Sequence, residues 1–192
     1  MNRAAAEVHA GATLKPSKIE LLQGWLPAQP WFSGDPAKLE RVANFRLVDP
    51  DGEVGLDAMV LADGVHSYFV PVTWRAQPLE DAEPIGTLEH SALGTRYCYD
   101  AVDDPVFMAE LERVVREADT QADILDVDGN VVPLGMHVKG SGLVPGEEPE
   151  AELQLMRLLD RTADVPGDAL GTLMADWTDA RGPRKDLLAV LR

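Results

Sequence analysis

Two short stretches hold the side chains best suited to chemistry. In LLQGWLPAQPWFSG, residues 21–34, Trp25, Trp31 and Phe32 crowd beside two prolines and two glycines. In YDAVDDP, residues 99–105, three carboxylates, Asp100, Asp103 and Asp104, fall close together. Flat aromatic faces could stack on sugar rings, and clustered carboxylates could hold a divalent metal. Each group also has a plainer use. Large aromatics dominate cores, and none of Trp25, Trp31, Phe32 and Trp74 is surrounded by the Asn, Asp and Gln that sugar hydroxyls need, which favours core or interface. Asp103 and Asp104 precede a helix opened by Pro105, where capping and the helix dipole account for them.

Other chemistry is excluded by pattern. DILDVDGN suggests a calcium loop, yet with Gly129 sixth, Ile124 and Gly135 fall first and twelfth, where acids are required. A hairpin turn with acidic shoulders remains. Phosphate-binding glycine loops, a G-x-S-x-G elbow and an H-E-x-x-H helix are all missing from the sequence. His9, His66, His90 and His137 are scattered without metal-ligand spacing. Glu89 and His90 are adjacent on a strand end, where neighbours point to opposite faces. Cys98 is the one cysteine, which excludes an intramolecular disulfide and a cysteine-based zinc site. Flanked by tyrosines, with no adjacent His or Lys to depress its pKa, it reads as a small strand residue. No catalytic residue, cofactor or metal ligand is assigned.

The balance of 33 acidic against 17 basic residues gives a formal charge of −16. That charge repels nucleic acid and anionic lipid and suits a cationic partner without demanding one; RGPRK at 181–185 is too short to offset it. No run approaches the ~18 apolar residues of a spanning helix. Glu7 and His9 interrupt any apolar signal sequence, so the cytoplasm is the expected location. A length of 192 residues, 45% of them hydrophobic, fits one domain or one domain with a small extension.

The elements that must position these side chains are legible in outline. Residues 1–12 read as a flexible tail. Ser17 and Glu20 form a capping box, and Ile19, Leu22 and Leu26 make an apolar stripe that Pro27 ends. VANFRLVDP, EVGLDAMVLAD and HSYFVPVTWR read as an antiparallel meander, with Val54, Leu56, Ala58 and Val60 on one face. Pro71 lacks a ladder donor and so marks an edge or a bulge; an edge there could pair with a second copy, or the proline could equally block such pairing. IGTLEH and GTRYCYDA are two more strands around Ser91–Gly94. Asp104 and Pro105 open a helix whose Phe107, Leu111, Val114 and Ala118 recur at helical spacing. ADILDVDGNVVPLGMHVKG is a hairpin. AELQLMRLLD fits strand or helix, and its turn-rich flanks favour strand. GTLMADW and LLAVLR close the chain as a hairpin. The sum is α+β with antiparallel strands.

Taken in order, LKPSKIELLQGWLPAQPWFSG, EVGLDAMVL and FVPVTWRAQPLEDAEPIGTLEHSALGTRYCYDAVDDPVFMAEL resemble the N-terminal cap domain of bacterial maltokinases. The resemblance implies a curved, cystatin-like antiparallel sheet packed against a helix. It gives a cap-like domain at 13–120 and a β-rich extension at 121–192 packed on the same domain as further antiparallel strands. In the family, the cap sits on a kinase that phosphorylates maltose. Here no histidine is followed by the expected Gly/Arg-Asp pair, and no DFG- or DFD-like triplet occurs. The resemblance therefore implies a free-standing relative of the cap: a non-catalytic binding or regulatory module, monomeric or homodimeric. Its partner is expected in maltose, trehalose or α-glucan metabolism. The alternative is a small sugar- or nucleotide-binding protein or enzyme, with kinase or 1,4-α-glucan branching chemistry suggested by fused relatives. Trp31, Phe32, Trp74, Arg75 and Asp100 lie in the resembling stretches and form the candidate partner or ligand surface.

Overall fold

The computed structural model describes residues 5–7, 11–126, 128–144, 149–159 and 164–192. The described chain opens with β1 (Ala5–Glu7), β2 (Leu14–Lys15) and α1 (Lys18–Trp25). The capping box is present. The Ser17 hydroxyl accepts from the Glu20 amide, and the Glu20 carboxylate accepts from the Ser17 amide at 2.7 Å. After Trp25 the chain tightens into a 3₁₀ turn, Leu26–Ala28, because Pro27 cannot supply the next helical donor.

The meander follows as β3 (Glu40–Val48), β4 (Gly55–Ala62) and β5 (Ser67–Arg75), then β6 (Gly86–His90) and β7 (Gly94–Asp100). Asp49 sets the first turn by accepting from the amides of Asp51, Glu53 and Val54. Together with β2 these strands form a six-stranded antiparallel sheet, in the order β2-β6-β7-β5-β4-β3. The second half adds α2 (Pro105–Arg116), β8 (Asp123–Leu125), β9 (Val131–Val132), β10 (Met136–Gly140), β11 (Leu153–Leu155), β12 (Gly171–Asp179) and β13 (Gly182–Leu191). Four of these strands make a second antiparallel sheet, β10-β12-β13-β11. β8 and β9 form the expected hairpin, and β1 joins β8 in parallel, so Ala5–Glu7 is a strand within the stretch read as a tail. The remainder of 1–10 lies outside the described residues. The architecture is α+β, with a curled six-stranded antiparallel sheet and further antiparallel strands.

The six-stranded sheet is covered on both faces. Leu56, Ala58 and Val60 of β4 meet Phe107, Leu111 and Val114 of α2 and Leu173 and Leu188 of the second sheet in one core. Met59 and Leu61, one position out of phase, meet Leu22 and Leu26 from α1 and the turn after it in a second core. This is why β5 is buried almost throughout and reads as a continuous apolar run. Cys98 is buried in the α1-side core, as a small strand residue should be.

Pro71 is placed differently from the sequence expectation. It lies in β5, an interior strand with β4 on one side and β7 on the other. The Ser67 carbonyl and the Phe69 amide bond to residues 157–159 on the flank away from β4, and alternate residues of a strand address the same neighbour. Pro71 therefore faces that flank too. There residues 157–159 have ended, and β7 pairs only from Val72 onward. The missing N–H falls in the gap between two partners, and no open sheet edge is left at Pro71 for a second copy.

Segment 153–159 belongs to both sheets. β11 pairs with β13, and two residues later the Arg157 carbonyl accepts from Phe69 at 2.8 Å while Leu159 donates to Ser67 at 2.8 Å. On the other side α2 presses so closely on β10 that a Cβ at Gly140 would stand 1.9 Å from the Val114 carbonyl oxygen. Gly140→Ala is accordingly expected to lower unfolding free energy in urea by about 3 kcal/mol or more. Gly24→Ala, in α1 with open space around it, should raise it by about 0.5–1 kcal/mol. Equal effects for the two would contradict the close approach.

Candidate binding surface

The loop after α1 is fixed on the sheet by its aromatics. Trp31 stands edge-on to Trp25 at 6.0 Å, and Phe32 lies 4.9 Å from Tyr68, a fully buried residue of β5. The Tyr68 hydroxyl also accepts from the Ser33 amide at 3.4 Å. Gly34 lets the loop close, because a Cβ there would meet the Asp63 carboxylate at 2.4 Å. That carboxylate accepts from the amides of Asp35, Val65 and His66. Burial would raise the Asp63 pKa, but these bonds overcome it and bring it to about 2.

Trp31 has a second neighbour. The Arg157 guanidinium lies over its ring, 5.0 Å from the centroid. The same guanidinium donates through Nη2 to both carboxylate oxygens of Asp100 at 2.6 Å. Asp100 is buried at the end of β7, and the Arg157 side chain is only 11% exposed. A charge so desolvated depends on its partner. Among the described residues, buried Arg157 Nη1 has no hydrogen-bond partner.

Around this triad runs a groove of about 660 Å³, lined by Gln29, Trp31, Asp103, Glu152, Gln154 and Arg157 among others. The Asp103 pKa is raised by burial and then by the negative charge of Asp100. The Arg157 charge pulls it partly back down, and among the described residues the Asp103 side chain makes no ion pair or hydrogen bond.

The other candidates go elsewhere. Phe32 is committed to Tyr68. Trp74 is buried in the α1-side core under the Lys18 ammonium, 5.1 Å from its ring centroid, and that ammonium pairs with the buried Asp57. Arg75 grips Asp104 as a fork, two bonds of 2.7 Å. Asp104 also caps α2 through the Val106 amide. Burial opposes its charge, yet Arg75 keeps its pKa below the usual carboxylate range. Of the five candidates, Trp31 and Asp100 are brought together, while Phe32, Trp74 and Arg75 hold the scaffold. Arg157, which joins them, escaped sequence reading. Its one signal was a lone Arg in the apolar run LQLMRLL, where a buried cation needs an acid.

Two outcomes follow from this geometry. Arg157→Met leaves Asp100 buried and unpaired and should cost about 3–5 kcal/mol. Adding Asp100→Asn should recover part of that loss, as a double-mutant cycle by chemical denaturation will read; strict additivity would dissolve the pair. Asp63 has a folded pKa below its unfolded value of about 3.9, so its contribution is full above that value and fades as pH falls toward 2. Asp63→Asn should therefore lower Tm by about 3–6 °C at pH 7. The deficit should shrink between pH 4 and pH 2; a pH-independent one would contradict the charged-acceptor role.

The maltokinase N-terminal cap domain family matches residues 25–104, a narrower span than the stretches that carry the resemblance. It contains Trp31, Phe32, Trp74, Arg75 and Asp100 but not Arg157. No curated protein matches the chain.

Proposed function

We propose that the chain is a non-catalytic binding or regulatory module built on the maltokinase cap, acting in the cytoplasm with an enzyme of maltose, trehalose or α-glucan metabolism. The observation that carries this reading is the cap match over residues 25–104, with Trp31 and Asp100 inside it and Arg157 supplied from beyond it. The charged groups behave as a scaffold. Asp100 is held by Arg157, Asp104 by Arg75 and Asp57 by Lys18. Burial pushes the Cys98 thiol far up, which removes it as a nucleophile near neutral pH. The groove beside Trp31, where the Asp103 side chain has no ion pair or hydrogen bond among the described residues, is the surface offered to the partner.

The test is direct titration of purified maltokinase and trehalose synthase into the chain by calorimetry. Binding to one of them is expected, weakened about tenfold by Asp103→Lys, on the scale of one lost polar contact. Heat flat for both enzymes, with only self-association detected, would sink the proposal. A second reading, a small sugar or nucleotide ligand, is favoured by the groove's volume and its polar lining of Gln29, Gln154 and Glu152. Maltose, trehalose, glucosamine and Mg·ATP titrated the same way decide it, and flat traces for all four remove it.

A further inference from the structure

We propose that the chain forms a symmetric homodimer through a second groove, at the open end between its two main sheets. This does not rest on the function proposed above. The groove is about 990 Å³, and Lys38, Glu40, Val42, Val65, Leu158 and Arg181 are among its lining residues. Val42, Val65 and Leu158 are 39%, 71% and 47% exposed, so three large apolar side chains share one opening. Exposed apolar side chains gathered on one patch mark an interaction site, whereas scattered ones need no explanation.

Two of the three are held outward by the backbone. Val42 is the extra residue of a bulge, since Arg41 pairs with Leu61 and Ala43 with Val60. Val65 tips the turn between β4 and β5. Its amide and that of His66 donate to the Asp63 carboxylate, and the Arg181 guanidinium donates to the Gly64 and Val65 carbonyls at 3.0 and 3.4 Å. The protruding valine is therefore preorganised, and little ordering entropy is lost when it is covered.

The occupant is identified by charge and symmetry. Two copies of a chain with formal charge −16 repel each other over most of their surfaces. On this rim the cations Lys38 and Arg181 balance the anions Glu40 and Asp179, so the approach of a second copy is least opposed here. A two-fold contact also requires both halves of the match on one patch. This groove has them: Val65 as the projection, Val42 and Leu158 as the receiving wall, and Arg181 and Glu40 as rim charges that pair reciprocally across the axis.

Sedimentation velocity over about 1–100 µM reads the outcome, on a scale where micromolar association is resolved. Wild type is expected to sediment as a dimer at the upper end and Val65→Asp as a monomer. Val65 is exposed, so that variant keeps its fold, checked by circular dichroism. Val131→Asp, on an exposed strand outside the groove, should dimerise like wild type. Glu40→Arg should weaken the dimer about tenfold, because it puts two like-charge contacts on the axis. Arg181→Glu should weaken it at least as much, since it also removes the bonds that hold the Val65 turn, and the double variant should recover the charge part of that loss. A wild type that stays monomeric overturns the proposal and leaves the groove to a different protein. So does a Val65→Asp variant that dimerises unchanged, or a Val131→Asp variant that does not dimerise.

Discussion

The hold that Asp100 and Trp31 keep on Arg157 ties the two halves of this molecule together. Among the described residues, the cap-like sheet and the four-stranded sheet share no continuous ladder. They are joined by segment 153–159, whose first residues pair with β13 and whose last pair with β5. A strap of so few backbone hydrogen bonds, each contributing about 1 kcal/mol net, would fray alone. Arg157 sits at its crossing point, its carbonyl bonded to Phe69 and its guanidinium locked between a buried carboxylate and an aromatic face. Arg184 reinforces the same junction from β13, donating to the Ser67 hydroxyl at 2.9 Å and to the Leu159 carbonyl at 3.3 Å while paired with Asp186. Polar contacts thus set where the sheets meet, and apolar burial between them supplies most of the stabilisation.

That division of labour explains how one sheet serves two cores. Every second residue of β4 and β5 faces α1, and the intervening ones face α2 and the second sheet. Neither core closes unless the elements on its far side arrive at the right height. Arg75 sets α2 by gripping its capping residue, Lys18 sets α1 by reaching Asp57, and Arg157 sets the C-terminal sheet. All three arms are cations on buried carboxylates, in a chain rich in spare acid. Each carboxylate is placed where desolvation makes its partner obligatory.

The sequence was informative wherever a local signal decides the structure. Ser17 with Glu20, Asp104 with Pro105, Asp49 at its turn and the alternation of Leu56, Ala58 and Val60 each specify their element from a few neighbouring residues. The cap resemblance rested on such stretches, and its core is the part the family match retains. What stayed illegible was non-local. Ala5–Glu7 carries no strand signal and is ordered by pairing with Asp123–Leu125. Pro71 reads as an edge marker because sequence cannot show that its flank is empty over one residue only. Trp31 and Asp100 were recognisable as a candidate surface, but nothing local says that Arg157 would bridge them, since that contact spans the fold. Phe32, Trp74 and Arg75 lie against Tyr68, Lys18 and Asp104, and a packed aromatic or a paired arginine leaves the same trace in sequence as an exposed one.

The central claim is that the Arg157 junction makes the cap-like and C-terminal sheets one cooperative unit. Native-state hydrogen exchange tests it most directly, through the amides of Phe69 and Leu159 at the junction and those of β4 and β12 on either side. The account predicts a single opening free energy for all of them in the intact protein, and early opening of Phe69, Leu159 and β12 together in Asp100→Asn. Exchange of β12 through an independent, lower-energy opening in the unaltered protein, with β4 still protected, would contradict it.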